Sequence, residues 1–143
     1  MDLELVKATE EGKREIWDLF VPEMKPHVDR IWGWEDGWQI NEFNRRYFKL
    51  NTSFIVFSNQ KLGYVQYSLN EGDTYLNMVI LGPAQQGKGL GKKVLRLIQN
   101  LQPDKPLKLR CFHVNVRALR FYEVNGFHII ESDDNFVLLQ RDT

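Results

Sequence analysis

Hydrophobic and polar positions alternate over Leu3–Ala8, which predicts a first strand. From Glu10 to Phe20 the spacing changes. Ile16, Trp17 and Phe20 fall on one side of a helix, which Pro22 and Pro26 are expected to end. Ile31–Trp38 is aromatic, contains glycine and reads as a loop, after which Ile40, Phe43, Tyr47 and Leu50 predict a second helix over Gln39–Leu50. Phe54–Phe57, Lys61–Leu69 and Thr74–Leu81 read as successive strands, joined by turns at Ser58-Asn59-Gln60 and Glu71-Gly72-Asp73. Leu90, Val94, Leu97, Ile98 and Leu101 mark an amphipathic helix with Lys92, Lys93 and Arg96 facing outward, broken by Pro103-Asp104-Lys105-Pro106. A strand at Leu107–Phe112 and a helix at Val116–Val124 follow, the helix closed by Asn125-Gly126 as a left-handed cap. Phe127–Glu131 and Phe136–Gln140 form a final hairpin across an acidic turn. The order β-α-α-β-β-β-α-β-α-β-β predicts an α/β (α+β) fold, a mixed, mostly antiparallel central sheet of about seven strands with helices on both faces.

At 143 residues and 43% apolar, the chain is expected to form one domain, residues 1–143, with a substantial core. Nineteen basic and nineteen acidic side chains cancel, which disfavours a nucleic-acid or acidic-membrane partner. The single cysteine, Cys111, excludes an internal disulfide framework and fits a reducing, cytoplasmic setting. No apolar run reaches the length of a membrane span, and the acidic start Met1-Asp2-Leu3-Glu4-Leu5 lacks a signal-peptide pattern.

The stretch most informative about chemistry is Leu81-Gly82-Pro83-Ala84-Gln85-Gln86-Gly87-Lys88-Gly89-Leu90-Gly91, where glycines alternate with other residues between a strand and a helix. Such a backbone can approach phosphates closely and bind them with its own N–H groups. Gly82 to Lys88 matches the G-x-x-x-x-G-K of a nucleotide loop, but the hydroxyl residue that would ligate magnesium is replaced by Gly89. The dinucleotide fingerprint G-x-G-x-x-G fails by one residue, and no strand-end acid follows at the required distance. A third reading is a pyrophosphate cradle feeding an extended thiol-bearing arm, as in coenzyme A, for which Gln86-Gly87-Lys88-Gly89-Leu90-Gly91 matches Q/R-x-x-G-x-G/A.

With that motif the chain resembles the GNAT superfamily of acyl-CoA-dependent N-acyltransferases. Leu76, Val79, Leu81 and Pro83 follow the family's strand signature L-x-x-I-x-V-x-P. Asn115, Ala118, Tyr122, Gly126 and Phe127 reproduce N-x-x-A-x-x-x-Y-x-x-x-G-F. The resemblance implies the GNAT-type fold, acetyl-CoA as acyl donor, no metal, and two strands, here Thr74–Leu81 and Leu107–Phe112, that splay to admit the pantetheine arm. It implies that the backbone of Val79 and Leu81 pairs with that arm. Gln86, Gly87, Lys88, Gly89, Leu90, Gly91 and Lys92 would hold the pyrophosphate. Tyr122 would protonate the leaving thiolate, and Asn115 would bond the arm or order its helix. The reaction implied is direct attack by a primary amine on the thioester. A catalytically silent acyl-CoA-binding sensor is the alternative.

The acceptor half is less defined. Many family members carry a Glu five residues before the motif Asn, and here that position is Arg110. Asp73, Glu35, Asp36 and His113 are candidate bases. Lys108, Arg110 and Phe112 should share one sheet face, where Arg110 either anchors a substrate carboxylate or pairs with a neighbouring acid. The resemblance implies that the loop bearing Trp32, Trp34 and Glu35 and the hairpin turn Glu131-Ser132-Asp133-Asp134-Asn135 form opposite walls of the acceptor site, an acidic and aromatic combination that suits a cationic acceptor. His27 reads as structural, and Cys111 as a small buried side chain. The expected partner is a small-molecule amine, and the resemblance leaves room for a homodimer.

Overall fold

A computed structural model describes residues 2–143. One sheet in the order β1-β2-β3-β4-β5-β7-β6 runs through it. Its strands are β1 (Glu4–Lys7), β2 (Asn51–Phe57), β3 (Gln60–Leu69), β4 (Thr74–Leu81), β5 (Leu107–Phe112), β6 (His128–Ser132) and β7 (Phe136–Arg141). The helices are α1 (Lys13–Ile31), α2 (Asp36–Lys49), α3 (Leu90–Gln99) and α4 (Val116–Val124). All strand pairs are antiparallel except β4 with β5. The β2–β3 hairpin turns on Ser58 and Asn59, both at positive φ, which suits the right-handed twist of the flanking strands.

Each sheet face buries its own core. Ile55, Val65, Leu76, Leu109 and Leu139 pack with Val94, Leu95 and Ile98 of α3 and with Leu119, Phe121 and Tyr122 of α4. Phe54, Tyr64 and Ile80 pack on the opposite face with Ile16 of α1 and with Phe43 and Tyr47 of α2. Fully buried Leu or Ile side chains of this kind contribute about 1.5–3 kcal/mol each.

The largest departure from the expected elements is in α1. The helix runs through Pro22 and Pro26 to Ile31, and the expected aromatic loop shrinks to residues 32–35. Both prolines lie on the exposed side. The carbonyls they cannot bond are those one turn back, on the same wet side, so water can satisfy them. On the other side the apolar series Ile16, Phe20, Met24 and Val28 continues at helical spacing through both prolines.

The parallel ladder between β4 and β5 is short. It pairs Thr74 with Leu107, Tyr75 with Lys108 and Leu76 with Leu109, and then stops. The register of β3 on β4 shifts at this point, from Gln66 opposite Met78 to Tyr67 opposite Leu76, which leaves Asn77 as a bulge. Asn77 Nδ2 donates to Gln66 Oε1 at 3.1 Å, Gln66 Nε2 to Thr52 Oγ1 at 3.2 Å, and Thr52 Oγ1 to the Tyr47 carbonyl at 3.0 Å. A row of hydrogen bonds across three strands thus holds the bulge, and β4 bends away from β5 beyond it.

Gly63 lies where β3 meets the end of β4. A Cβ there would stand 2.2 Å from the Ile80 carbonyl oxygen and 2.8 Å from Leu81 Cα, both backbone. Gly63→Ala is therefore expected to destabilise the protein by about 3 kcal/mol. Thermal unfolding should show this as a Tm lowered by roughly 10 °C. Gly72→Ala, where a Cβ meets nothing within 4 Å, should leave Tm unchanged.

Candidate active site

The two prongs of the fork carry backbone groups that the sheet does not use. The Gly82 N–H donates to the Leu62 carbonyl at 2.9 Å, which places Gly82, Ile80 and Met78 in hydrogen-bonded pairs with β3. Strand alternation then turns the N–H and C=O of Val79 and Leu81 towards β5, where no strand meets them. On the other prong, His113 N–H donates to the Asn135 carbonyl at 2.9 Å, so the same alternation turns Arg110 and Phe112 towards β4.

Residues 82–89 continue from β4. Pro83–Gln85 form a single 3-10 turn, and α3 starts at Leu90. Gly87 and Gly89 both have φ +77°, a conformation L side chains rarely adopt, and a Cβ on either would meet nothing within 4 Å. Among the described residues, no backbone carbonyl accepts from the N–H groups of Gln86, Gly87, Lys88 or Gly89. The N-cap of α3 is Gly89, which has no side chain to cap the helix. The loop and the helix start thus present free N–H groups and the positive end of the α3 dipole to open space. Lys88, Lys92 and Lys93 are exposed around it.

The Asn115–Phe127 signature is a helix with both ends closed. Asn115 Oδ1 accepts from Ala118 N–H at 3.2 Å as the N-cap of α4. At the other end Gly126, at φ +91°, allows Gly126 N–H to reach the Glu123 carbonyl and Phe127 N–H to reach the Tyr122 carbonyl. Tyr122 is thereby locked on the last turn, its ring edge-on to Phe121 at 5.3 Å and to Phe127 at 5.5 Å. Its hydroxyl makes no hydrogen bond to any described residue. Burial pushes the Tyr122 phenol above its ordinary value, with the adjacent Cys111 adding to the effect. Burial also pushes the Cys111 thiol up to about 11. Both groups are neutral at physiological pH.

The candidate acceptor residues divide. Trp32 is 58% exposed and stands 5.7 Å from Phe112 and 5.9 Å from Phe136, beside the β5 prong. Arg110 Nη1 donates to Tyr75 Oη at 3.2 Å across the base of the fork, and Arg110 borders a small cavity with Ser132, Asp133 and Phe136. Trp34 turns away to pack on Trp17 and Phe20, its Nε1 donating to Asp36 Oδ1 at 2.6 Å. Glu35 is exposed at the start of α2. Asp73 lies at the far end of β4, roughly 25 Å of strand from Leu81, where Lys108 Nζ approaches it at 3.4 Å. His113 Nε2 lies 2.7 Å from the Asp133 carbonyl, and Asp133 accepts from the N–H groups of Asn135 and Phe136. These backbone bonds hold the Asp133 carboxyl below its ordinary value.

Two residues that sequence reasoning left out of the site stand at the fork. Glu23 of α1 accepts from Gln86 Nε2 at 2.6 Å, and the same nitrogen donates to the Leu81 carbonyl at 3.0 Å. His27, one turn further along α1, lies 6.2 Å from Phe112. Their signal was the apolar spacing of α1, which continues past the prolines. Among the described residues no group of three or more His, Cys, Asp or Glu could hold a metal, and no helix is long and apolar enough to cross a membrane.

The family model described as the acetyltransferase (GNAT) family matches residues 12–127. The chain is 33% identical over 70 residues to the peptidyl-lysine N-acetyltransferase YiaC of Escherichia coli (strain K12), covering 49% of this chain and 44% of that protein. It is 32% identical over 85 residues to the spermine/spermidine N(1)-acetyltransferase of Bacillus subtilis (strain 168), covering 51% and 56%. The chain spans about half the length of the curated relatives it matches. In fold it resembles the PaiA N-acetyltransferase of Thermoplasma acidophilum in complex with coenzyme A, with TM-score 0.77, 16% identity and 100% of both chains covered. An acetyltransferase from Thermus thermophilus superposes with TM-score 0.75 at 18% identity, covering 100% of this chain and 98% of that one.

The raised Cys111 thiol has a direct consequence. At pH 8 its thiolate fraction should be about two hundredfold below that of an ordinary cysteine. Alkylation of the folded protein by iodoacetamide, followed by mass spectrometry, should be correspondingly slow. The rate should rise about tenfold per pH unit and level off near the thiol's pKa of about 11.

Proposed function

The chain belongs to the GNAT acetyltransferase family, and from that premise we propose that it is an N-acetyltransferase moving an acetyl group from acetyl-CoA to the primary amine of a small acceptor. The observation that carries this reading is the open edge of β4, running without interruption into the free N–H groups before α3. An extended pantetheine arm would supply the partners that the Val79 N–H and C=O and the Leu81 N–H lack. The pyrophosphate would sit on residues 86–92, at a helix start that favours anions. Coenzyme A in the complex of the Thermoplasma relative and the spermidine and lysine acceptors named for two sequence relatives support the donor and the amine class.

In this reading the donor enters from the α3–α4 side and the acceptor from the α1–α2 side, and the amine attacks the thioester carbonyl directly. The neutral amine forms the new C–N bond as the C–S bond breaks, and the proton it sheds passes through solvent to restore the Tyr122 hydroxyl. A β4 N–H that faces the gap steadies the oxyanion. The departing sulfur takes a proton from the Tyr122 hydroxyl, which has no competing partner among the described residues. Burial raises that phenol, yet it also raises a thiol beside it, as Cys111 illustrates. The proton transfer depends on the difference between the two groups, which shared burial leaves small. Trp32 and Arg110 border the acceptor side, whereas Trp34 contributes by holding the α1–α2 connection.

Steady-state thiol release from acetyl-CoA with a panel of primary amines tests the proposal. Turnover is expected. Coenzyme binding without turnover on any amine would favour a silent acyl-CoA sensor instead. Tyr122→Phe should lower kcat by about a hundredfold, with coenzyme affinity unchanged. Gly89→Val, forced to positive φ, should weaken coenzyme binding at least tenfold by calorimetry, with the far-UV spectrum retained.

A further inference from the structure

The glycines of the phosphate loop do not share one role. Gly87 and Gly89 are at φ +77°, and a Cβ on either would meet open space, so both serve the turn of the backbone. Gly91 sits inside the first turn of α3, where any residue adopts the backbone. A Cβ there would stand 2.8 Å from Cζ and 3.2 Å from Cε1 of Phe121 on α4. Side chains do not pack that closely. The missing side chain at Gly91 therefore lets the start of α3 rest directly on the Phe121 ring.

Phe121 in turn bears on Tyr122, the two rings meeting edge-on with centroids 5.3 Å apart. Phe127 meets Tyr122 in the same way at 5.5 Å. Phe127 is buried and held by Arg141, whose guanidinium lies over its ring at 5.1 Å and donates to Gln99 Oε1 at 2.6 Å and to the Asn125 carbonyl at 3.1 Å. Gln99 ends α3 and Asn125 closes α4, so both helices fix this second contact. The Tyr122 hydroxyl has no hydrogen-bond partner among the described residues, so the ring contacts aim the phenol. Of the two rings, Phe121 is the one that can move. It is half-buried, while Val94, Leu95 and Ile98 seat α3 with no exposed surface. An atom added at residue 91 would swing the Phe121 ring and not the helix, and the Tyr122 ring would follow.

The loop holds the pyrophosphate end of the coenzyme and Tyr122 must meet its sulfur, two points joined by one arm of set length. We infer that Phe121 is the positioning residue that keeps them in register, wedged between α3 and the proton donor through the gap that Gly91 provides. Phe121 acts through Tyr122 and not on the substrates. The assignment rests on the acetyltransferase reading above and adds the link between the phosphate loop and the acid.

The test is a double-mutant cycle over Gly91→Ala and Phe121→Leu. It is read by kcat with the fastest primary amine of the panel, KM for acetyl-CoA, calorimetric affinity for coenzyme A and melting temperature. Gly91→Ala keeps the backbone N–H and favours the helix, so the melting temperature should hold and coenzyme affinity should stay within about twofold of wild type. Its kcat should fall about tenfold, because the phenol no longer meets the sulfur squarely. Phe121→Leu, which takes away one of the rings that aim Tyr122, should lower kcat by a similar factor. The double variant should be no slower than Phe121→Leu alone, since the ring that the added methyl displaces is gone. Losses that multiply in the double variant, or a wild-type kcat in Gly91→Ala, would show that Phe121 is no wedge. A Gly91→Ala loss as large in coenzyme affinity as in kcat would assign residue 91 to phosphate binding and overturn the assignment as well. If Gly91→Ala does not fold, Phe121→Leu is compared with the double variant: equal kcat upholds the wedge and a further loss refutes it. If wild type binds coenzyme but acetylates no amine, the acetyltransferase reading itself fails and leaves no acid to position.

Discussion

The parting of β4 from β5 after three paired residues is the constraint on which the rest of the molecule depends. A sheet that opens in its middle leaves backbone donors and acceptors without partners, at a cost of about 1–3 kcal/mol for each group that water cannot reach. The protein sustains this by building the opening into its polar framework. Asn77 bulges out of the ladder and is held through Gln66 and Thr52 to the carbonyl of Tyr47 at the end of α2, so β4 is bent by hydrogen bonds that span half the sheet. Gln86 then occupies the Leu81 carbonyl, the last group on the open edge. What remains unpaired is a short strand edge with the spacing of an extended ligand.

The two faces of the fork differ in chemistry because different helices close them. On one face α3 and α4 supply helix-start N–H groups, the N-cap Asn115 and the neutral Tyr122, and β5 adds the buried, neutral Cys111. That environment suits a phosphate chain followed by a thioester and its leaving thiol. On the other face α1 supplies a carboxylate and an imidazole, β5 supplies Arg110 and Phe112, and Trp32 of the α1–α2 connection and Phe136 of β7 complete an aromatic ridge with Phe112. That environment suits a charged, hydrophilic acceptor.

Much of this was legible in the chain, for reasons particular to its elements. The bounds of β4, β5 and α4 agree with the expected ones because turns or proline clusters flank the strands and because Asn115 and Gly126 cap the helix with their own chemistry. The special loop backbone was visible because φ +77° at both Gly87 and Gly89 favours residues without a side chain. The acceptor side was not. Asp73 was credible by charge and adjacency to β4, yet it stands at the wrong end of the strand. Trp34 looked like a wall and instead packs beneath one. Charge and aromaticity carry no direction until a helix fixes which way each side chain turns.

The direction was set by α1, and there the two strongest local signals in the sequence conflicted. Two prolines within five residues usually stop a helix, and each costs it a hydrogen bond. The apolar series from Ile16 to Val28 argues for continuation, and it prevails because the prolines fall on the exposed side, where water takes over the orphaned carbonyls. Had the helix ended at Phe20, residues 23 and 27 would lie in a loop with no fixed relation to the fork. Continuation sets them one turn apart on a rigid element, above the gap and opposite Tyr122. The exposed prolines therefore leave a helix long enough to bridge both prongs, and that length brings Glu23 to the amide of Gln86.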